Sequence, residues 1–265
     1  MDIPPTPLYP YTPIPFPTPF PSMYKVNEPL ELTLLYHLNS PPPEAYAQPV
    51  PADEMRYLAD APVLELPPAP SNNHLASLLS NRHSVRAFQN VPMSQTVLAQ
   101  LLDSACGING LRQVQGYTYE GRNAPSAGGL YPLEMFVSIQ EVTGLAAGLY
   151  HYEPRGHTLQ WVNESAPHDF ITPLLDQDFI THANALFILT GVFMRSLYKY
   201  GTRGYRFVLF EAGHQAENIC LMAVELGLGS LCLGGFHDSS INRILGIDGQ
   251  RHAALYCIAV GTEKV

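Results

Sequence analysis

The chain has 265 residues, of which 46% are hydrophobic and 14% charged, enough for one substantial core with an arm to spare. Its formal net charge of -9 excludes a general affinity for nucleic acid or anionic membrane surfaces, since both need a field of the opposite sign. There is no bilayer-spanning apolar stretch and no secretion signal, so a cytoplasmic location is expected, and Cys106, Cys220, Cys232 and Cys257, without C-x-x-C spacing, read as packed thiols rather than zinc ligands or disulfides.

Residues 1–21 hold nine of the 25 prolines, alternating with Tyr, Phe, Ile and Thr. Proline fixes φ and removes an amide donor, so this segment is either a loose tail or a polyproline II arm laid over a surface, with its aromatics as anchors. Residues 22–71 stay proline-rich and form an extended lead-in with a short helix near 29 to 38. The compact domain is expected over 72–265. A short helix at 73 to 81 opens it. A second runs from Ser94, an N-cap, to Gly107, a stop, with Val97, Leu98, Leu101, Leu102 and Ala105 on one face. Leu133, Met135, Val137 and Ile139 then alternate with Glu134, Phe136, Ser138 and Gln140, the period of a strand. Strands follow at 148 to 152 and 158 to 162, joined by a turn around Pro154 to Gly156. Ala185 to Phe193 and Ala254 to Val260 are nearly unbroken apolar runs, as expected of strands covered on both faces. Between them Arg206 to Leu226 reads as one long helix, its apolar stripe running through Val208, Ala212, Ala216, Ile219, Ala223 and Leu226. Strands and helices without regular alternation give an α+β domain.

Three segments carry chemistry. Asn81 to Phe88 packs Arg82, His83, Ser84 and Arg86 into five residues of an acidic protein. On one turn of helix Arg82 and Arg86, four apart, would share a face and close two guanidinium forks on an anion such as a phosphate. Pro125-Ser126-Ala127-Gly128-Gly129-Leu130-Tyr131-Pro132 precedes the alternating strand, and its small residues let backbone amides approach something flat or anionic. Gly234-Gly235 follows Leu231-Cys232-Leu233 and precedes a short helix near Ser239 to Leu245. His151, His157, His168, His182 and His252 lack ligand spacing and read as surface or satisfied side chains, so no metal site is expected. Glu211, His214, Gln215 and Asn218 share a face of the long helix, either a polar active-site wall or a dimer seam, and the seam is the preferred reading. Trp161 reads as core or strand packing.

In this order and spacing the three segments resemble the flavin-dependent nitroreductase family over about residues 72 to 261. R-H-S-x-R-A-F at 82 to 88 matches that family's phosphate-binding start, P-S-A-G-G at 125 to 129 the loop against the isoalloxazine ring, and L-G-G-F at 233 to 236 the turn beside flavin N5. The resemblance implies a nitroreductase-like fold, a central and mostly antiparallel sheet flanked by helices, in an intertwined homodimer with FMN at the interface. Arg82, Ser84 and Arg86, with His83 beside them, would hold the phosphate and ribityl end. Pro125, Ser126, Ala127 and Gly128 would line the ring, and the amide of Gly234 or Gly235 would face N5. Members of the family add basic phosphate contacts from a C-terminal extension, for which this chain offers Lys264 alone.

Leu35-Tyr36-His37, Ala61 to Pro68, Gly148 to Tyr152 and above all Tyr198 to Arg206 are similar to SagB-type dehydrogenases, over about residues 30 to 261. These FMN enzymes oxidise thiazolines and oxazolines to thiazoles and oxazoles in ribosomally made, modified peptides. The resemblance implies a modified precursor peptide as substrate, hydride transfer to flavin N5, a proton passed to a base, and reoxidation by dioxygen, and leaves open whether the enzyme works alone or docked to a cyclodehydratase. Lys199 and Tyr200 match the catalytic pair. Neither is basic at its free pKa of about 10, so one must be activated, with Arg195, Arg203 and Arg206 as candidate neighbours, and the choice between them stays open. An NAD(P)H-dependent nitro or quinone reductase would use the same flavin site. A non-catalytic interaction subunit with a Pro-rich arm would use none of it.

Overall fold

The computed structural model describes residues 29–40, 63–69, 73–114 and 116–264. The arm expected over 1–21 lies outside the described residues, as does most of the lead-in apart from α1, Pro29–Leu38, a helix where one was expected. The domain begins with α2 (His74–Asn81), β1 (Phe88–Gln89) and α3 (Gln95–Cys106). In α3 the Ser94 hydroxyl accepts the Val97 amide at 3.2 Å, and Gly107 closes the far end on the Asp103 carbonyl. Replacing a cap of this kind by Ala costs about 1 kcal/mol. A hairpin of β2 (Ile108–Val114) and β3 (Tyr117–Arg122) stands apart as a two-stranded sheet. It had no counterpart in the sequence expectations, because its described side chains mark no buried face: even Leu111 is 70% exposed.

The main sheet is built from β1, β4 (Leu133–Ile139), β5 (Gly148–Glu153), β6 (Thr158–Asn163), β7 (Ala185–Val192), β8 (Gly229–Leu233) and β9 (His252–Glu263). Its order is β1-β9-β7-β4-β5-β6, with β8 also paired to β9, and every one of these pairings is antiparallel. The helices α4 (Met194–Tyr200), α5 (Arg203–Glu225) and α6 (Asp238–Leu245) complete the described α-helices, and short 3-10 turns occupy Ala127–Gly129, Pro167–Phe170 and Asp178–His182.

Strand periodicity explains why the sheet is buried on both sides. In β4, Leu133, Met135, Val137 and Ile139 pack with α3 and α5 residues such as Leu101, Val208, Ala216 and Ile219, whereas Phe136 joins Leu245 and Ile241 of α6 in a second cluster. In β7, Phe187 and Leu189 face the first cluster, Leu186 and Ile188 the second. The apolar alternation therefore sorts residues between two cores, not between core and water. Trp161, expected in core or strand packing, takes the second form. It lies on β6 at the sheet edge, 52% exposed, with its ring edge-on to Tyr150 at 5.2 Å, so it packs on a strand and lies outside the core.

All four cysteines are free, with Cys106, Cys220 and Cys257 buried. Cys220 of α5 and Cys232 of β8 meet at 3.5 Å between sulfurs. No helix of the described residues is long and apolar enough to cross a membrane.

Candidate functional site

Two groups of the expected residues come together, each around its own piece of scaffold. The first follows α2. Arg82 adopts φ -62° and ψ 118°, and residues 82–87 run non-helical, so the helical-turn geometry for Arg82 and Arg86 does not occur. The segment is instead pinned to β8: Ser84 bridges Ser230 in parallel, and the Val85 amide donates to the Ser230 carbonyl at 3.0 Å. Residues two apart in extended chain share a face, so Arg82, Ser84 and Arg86 still project together while Val85, 4% exposed, turns into the core. Neither arginine has a carboxylate partner among the described residues.

His83 alternates to the other side. Its Nδ1 hydrogen-bonds the Asn81 carbonyl at 2.9 Å and its Nε2 the Glu263 carboxylate at 3.1 Å, and these two acceptors push its pKa up. His83 is thus engaged by a neighbour from β9, away from the arginine face. Pairing of Phe88 with Glu263 also brings Lys264 alongside, its amide donating to the Ala87 carbonyl at 2.9 Å, so the last basic residue sits next to Arg86 in the ladder. Gly234 and Gly235 form the turn that leaves β8, held by the buried Leu233 and Phe236 on either side.

The second group surrounds Pro125 to Gly129. Gly128 has φ 65°, and a Cβ there would lie 2.5 Å from the Tyr200 hydroxyl and 2.8 Å from Lys199 Nζ. Both expected catalytic side chains therefore close directly on this loop. Lys199 Nζ also lies 5.4 Å from the Tyr200 ring centroid, and that ring is edge-on to Phe207 at 4.9 Å. Gly128→Ala should cost backbone strain and displace both side chains, lowering turnover at least tenfold with the fold retained, as checked by circular dichroism and rate measurement.

Tyr131, at φ 45°, is over-determined by its contacts. Its amide donates to Ser126 Oγ at 2.9 Å, its hydroxyl to the Glu120 carbonyl at 2.6 Å, and its carbonyl accepts from Arg195 at 3.2 Å, while Arg122 lies over its ring at 4.4 Å. Such strain persists only where the surroundings fix it. Arg195, one turn before Lys199 on α4, also pairs with Glu134 at 2.5 Å, and Glu134 with His151 at 2.9 Å. Burial alone would raise the Glu134 carboxyl, but His151 and Arg195 together hold it down at about 2. This network ties α4 to the loop and to β4. Gly204 lets α5 start against α4, because a Cβ there would strike the Ser196 backbone at 2.7 Å.

The seam reading of the α5 polar face fails for two of its four residues. Glu211 and Gln215 are each 2% exposed and lie inside this chain, whereas His214 is exposed and Asn218 donates to the Ser104 carbonyl at 3.0 Å. The i, i+4 spacing placed them on one face but not which neighbour covers it. Burial pushes the Glu211 carboxyl up to about 7, against the opposite pull of Ser126, Arg122 and Arg195. A carboxyl raised from 4.5 contributes stability that is present below 4.5 and lost as pH rises through 7, up to about 3 kcal/mol. Glu211→Gln should therefore flatten the decline in unfolding free energy over that window, measured by urea unfolding at several pH values.

Beside α4, a cleft of about 610 Å³ opens between α1 and the start of α5, lined among others by Leu32, Tyr36, Tyr205, Arg203 and Arg206. His37 anchors α1 here through the Tyr205 hydroxyl at 3.1 Å.

The two groups lie toward opposite ends of the sheet. Ser84 is level with Ser230 and hence Val260, while Leu133, just after the loop, is level with Gly191 and hence Ala253. Seven residues of β9 separate those levels, roughly 20 Å along the strands.

A model of the nitroreductase family matches residues 79–262. The chain belongs to the nitroreductase family. Within this family, protein MJ1384 of Methanocaldococcus jannaschii is 36% identical over 174 residues, covering 65% of this chain and 84% of that protein. The microcin B17-processing protein McbC of Escherichia coli is 29% identical over 140 residues, 51% of this chain and 52% of McbC. The trifolitoxin-processing protein TfxB of Rhizobium leguminosarum bv. trifolii is 29% identical over 142 residues, 51% of this chain and 38% of TfxB. The match thus spans about half of McbC and less of TfxB. In three dimensions the nitroreductase fold superposes on a chain of the E. coli microcin synthetase McbBCD complex with truncated pro-MccB17 bound, at TM-score 0.65 and 24% identity over 91% of this chain and 96% of that one.

Proposed function

We propose that this chain is an FMN-dependent dehydrogenase that oxidises thiazoline or oxazoline rings to thiazoles or oxazoles within a ribosomally made peptide. The observation that carries the reading is the closure of Lys199 and Tyr200 on Gly128, in the loop that the family resemblance sets against the flavin ring. The residues present fit the phosphate of FMN: two guanidinium groups without a carboxylate partner among the described residues and a hydroxyl lie on one extended face, next to Lys264 in the ladder. When bound, FMN supplies the acceptor for a hydride leaving the azoline.

The chain's own residues handle the proton. Aromatisation removes a second hydrogen from the ring as H⁺, which Lys199 Nζ or Tyr200 Oη takes up, the other group offsetting the change in charge. Arg195 holds α4 against Tyr131 and Glu134, so both side chains start from a fixed position. The roughly 20 Å between the arginine face and the loop supports a site assembled from two chains, the phosphate group of one facing the loop of its partner. The names of McbC and TfxB support a peptide substrate, and the McbBCD assembly supports the alternative in which the enzyme works docked to a partner such as a cyclodehydratase.

Residues flanking the ring would enter the cleft between α1 and α5. Arg203→Ala with Arg206→Ala should raise the KM for an azoline peptide about tenfold with little change in FMN affinity. The reading as a whole is tested anaerobically: an azoline-bearing peptide should bleach the flavin absorbance of the FMN-loaded protein. Bleaching by NADPH and not by the peptide would favour nitro or quinone reduction.

A further inference from the structure

Cys220 of α5 and Cys232 of β8 bring their sulfurs to 3.5 Å where helix packs on strand, although they are 12 residues apart in sequence. Their access differs. Cys220 is buried, whereas Cys232 is half-buried and lies two residues before the exposed Gly234. Cys106, by contrast, donates to the Leu102 carbonyl of its own helix at 3.8 Å, and Cys257 packs in the second core cluster. A disulfide has an S–S bond of about 2 Å, so the Cys220 and Cys232 sulfurs need to close by roughly 1.5 Å.

Cys232 also sits between two pieces of the proposed flavin site. Two residues before it, the Ser230 carbonyl accepts the Val85 amide at 3.0 Å and Ser84 bridges Ser230, which fixes residues 82–86. Gly229 supports the same segment, since a Cβ there would meet the Val85 side chain at 2.8 Å. Two residues after Cys232, the chain turns through Gly234 and Gly235. Cys232 is level with Ile258 of β9, so Tyr256 shares its face, and the Tyr256 ring would meet a Cβ on Gly234 at 3.6 Å. In the main sheet β8 pairs with β9 alone, and residues 82–86 lie along it, so a pull at Cys232 is passed to that segment and to the turn.

We propose that Cys232 and Cys220 are a modification site for hydrogen peroxide, which joins them as a disulfide that draws β8 toward α5 and loosens the chain's hold on FMN. The difference in access sets the order of events. The Cys232 thiolate attacks one peroxide oxygen, forming an S–O bond as the O–O bond breaks, and leaves a sulfenic acid and hydroxide. The Cys220 thiolate then attacks the Cys232 sulfur, forming the S–S bond and expelling a second hydroxide. The two thiol protons convert both hydroxides to water. Two thiols thus give up two electrons, and one peroxide is reduced to two waters.

The inference rests on the FMN part of the proposed function and needs no peptide substrate for its test. The full chain, with FMN and without it, is treated with hydrogen peroxide, its free thiols are counted, and any cross-link is located by mass spectrometry of unreduced fragments. Wild type should lose two of its four thiols through a link between Cys220 and Cys232. Its FMN affinity, read by flavin fluorescence, should fall about tenfold, and dithiothreitol should restore it. Cys220→Ala should bind FMN as reduced wild type does, take up oxygen on Cys232 under the same treatment and form no link. Cys232→Ala should leave Cys220 reduced. Wild type that keeps all four thiols in both forms, or that forms the link and still binds FMN as tightly as before, overturns the inference whether or not either variant folds. If the link forms and FMN affinity falls, but reduced wild type oxidises no azoline, the modification site stands and the substrate reading falls.

Discussion

Lys199→Ala and Tyr200→Phe, each loaded with FMN, should oxidise an azoline peptide roughly 10²- to 10⁴-fold more slowly than wild type, the range for removal of a positioned general base. FMN affinity should change little, because both side chains meet the loop at Gly128, away from the Arg82 to Arg86 face. The two effects should not add, since the pair acts on one proton. A double variant no slower than the worse single variant is the expected result. If both single variants kept the wild-type rate with FMN bound, the pair would have no part in the proton step.

The second large effect concerns the cofactor. Arg82→Ala with Arg86→Ala should weaken FMN binding about a hundredfold, a cost of about 3 kcal/mol after discounting for the exposure of the arginine face. His83→Ala is the informative control. Its ring is already engaged by Glu263 and the Asn81 carbonyl, so its loss should change FMN affinity less than threefold. Equal losses in both variants would mean that His83 leaves Glu263 for the phosphate. Fluorescence titration of the apoprotein distinguishes these outcomes.

Much of the scaffold was legible because period and punctuation agree with burial. The Ser94 cap, the Gly107 stop and the unbroken apolar runs of β7 and β9 each state a local requirement that the packing honours. Elements with no buried face left no such mark, as with the β2–β3 hairpin. Yet that hairpin supplies Arg122 over the Tyr131 ring and the Glu120 carbonyl for its hydroxyl. The arginine cluster was legible as a cluster but not as a conformation. Four-residue spacing suits a helix and two-residue spacing an extended chain, and Arg82, Ser84 and Arg86 satisfy both. Only the bridge to Ser230 decides between them. Glu211 was misplaced for a related reason: helical spacing gives a residue's face, while the neighbour covering that face is a tertiary fact.

The path to Lys199 and Tyr200 shows how separate signals converge. Neither the loop nor the α4 segment names a base alone, but Gly128 has no room for a side chain because those two groups fill it. Under the proposed reading, that close approach is what ties the pair to the loop. The central claim is therefore about what the pair does to a ring. Mass spectrometry of an azoline-bearing peptide incubated with the FMN-loaded protein and dioxygen tests it most directly. The account predicts a loss of two hydrogens per ring with wild type, and an unchanged mass over the same interval with FMN-loaded Lys199→Ala. A peptide left unchanged by FMN-loaded wild type, with or without an added cyclodehydratase, would contradict it.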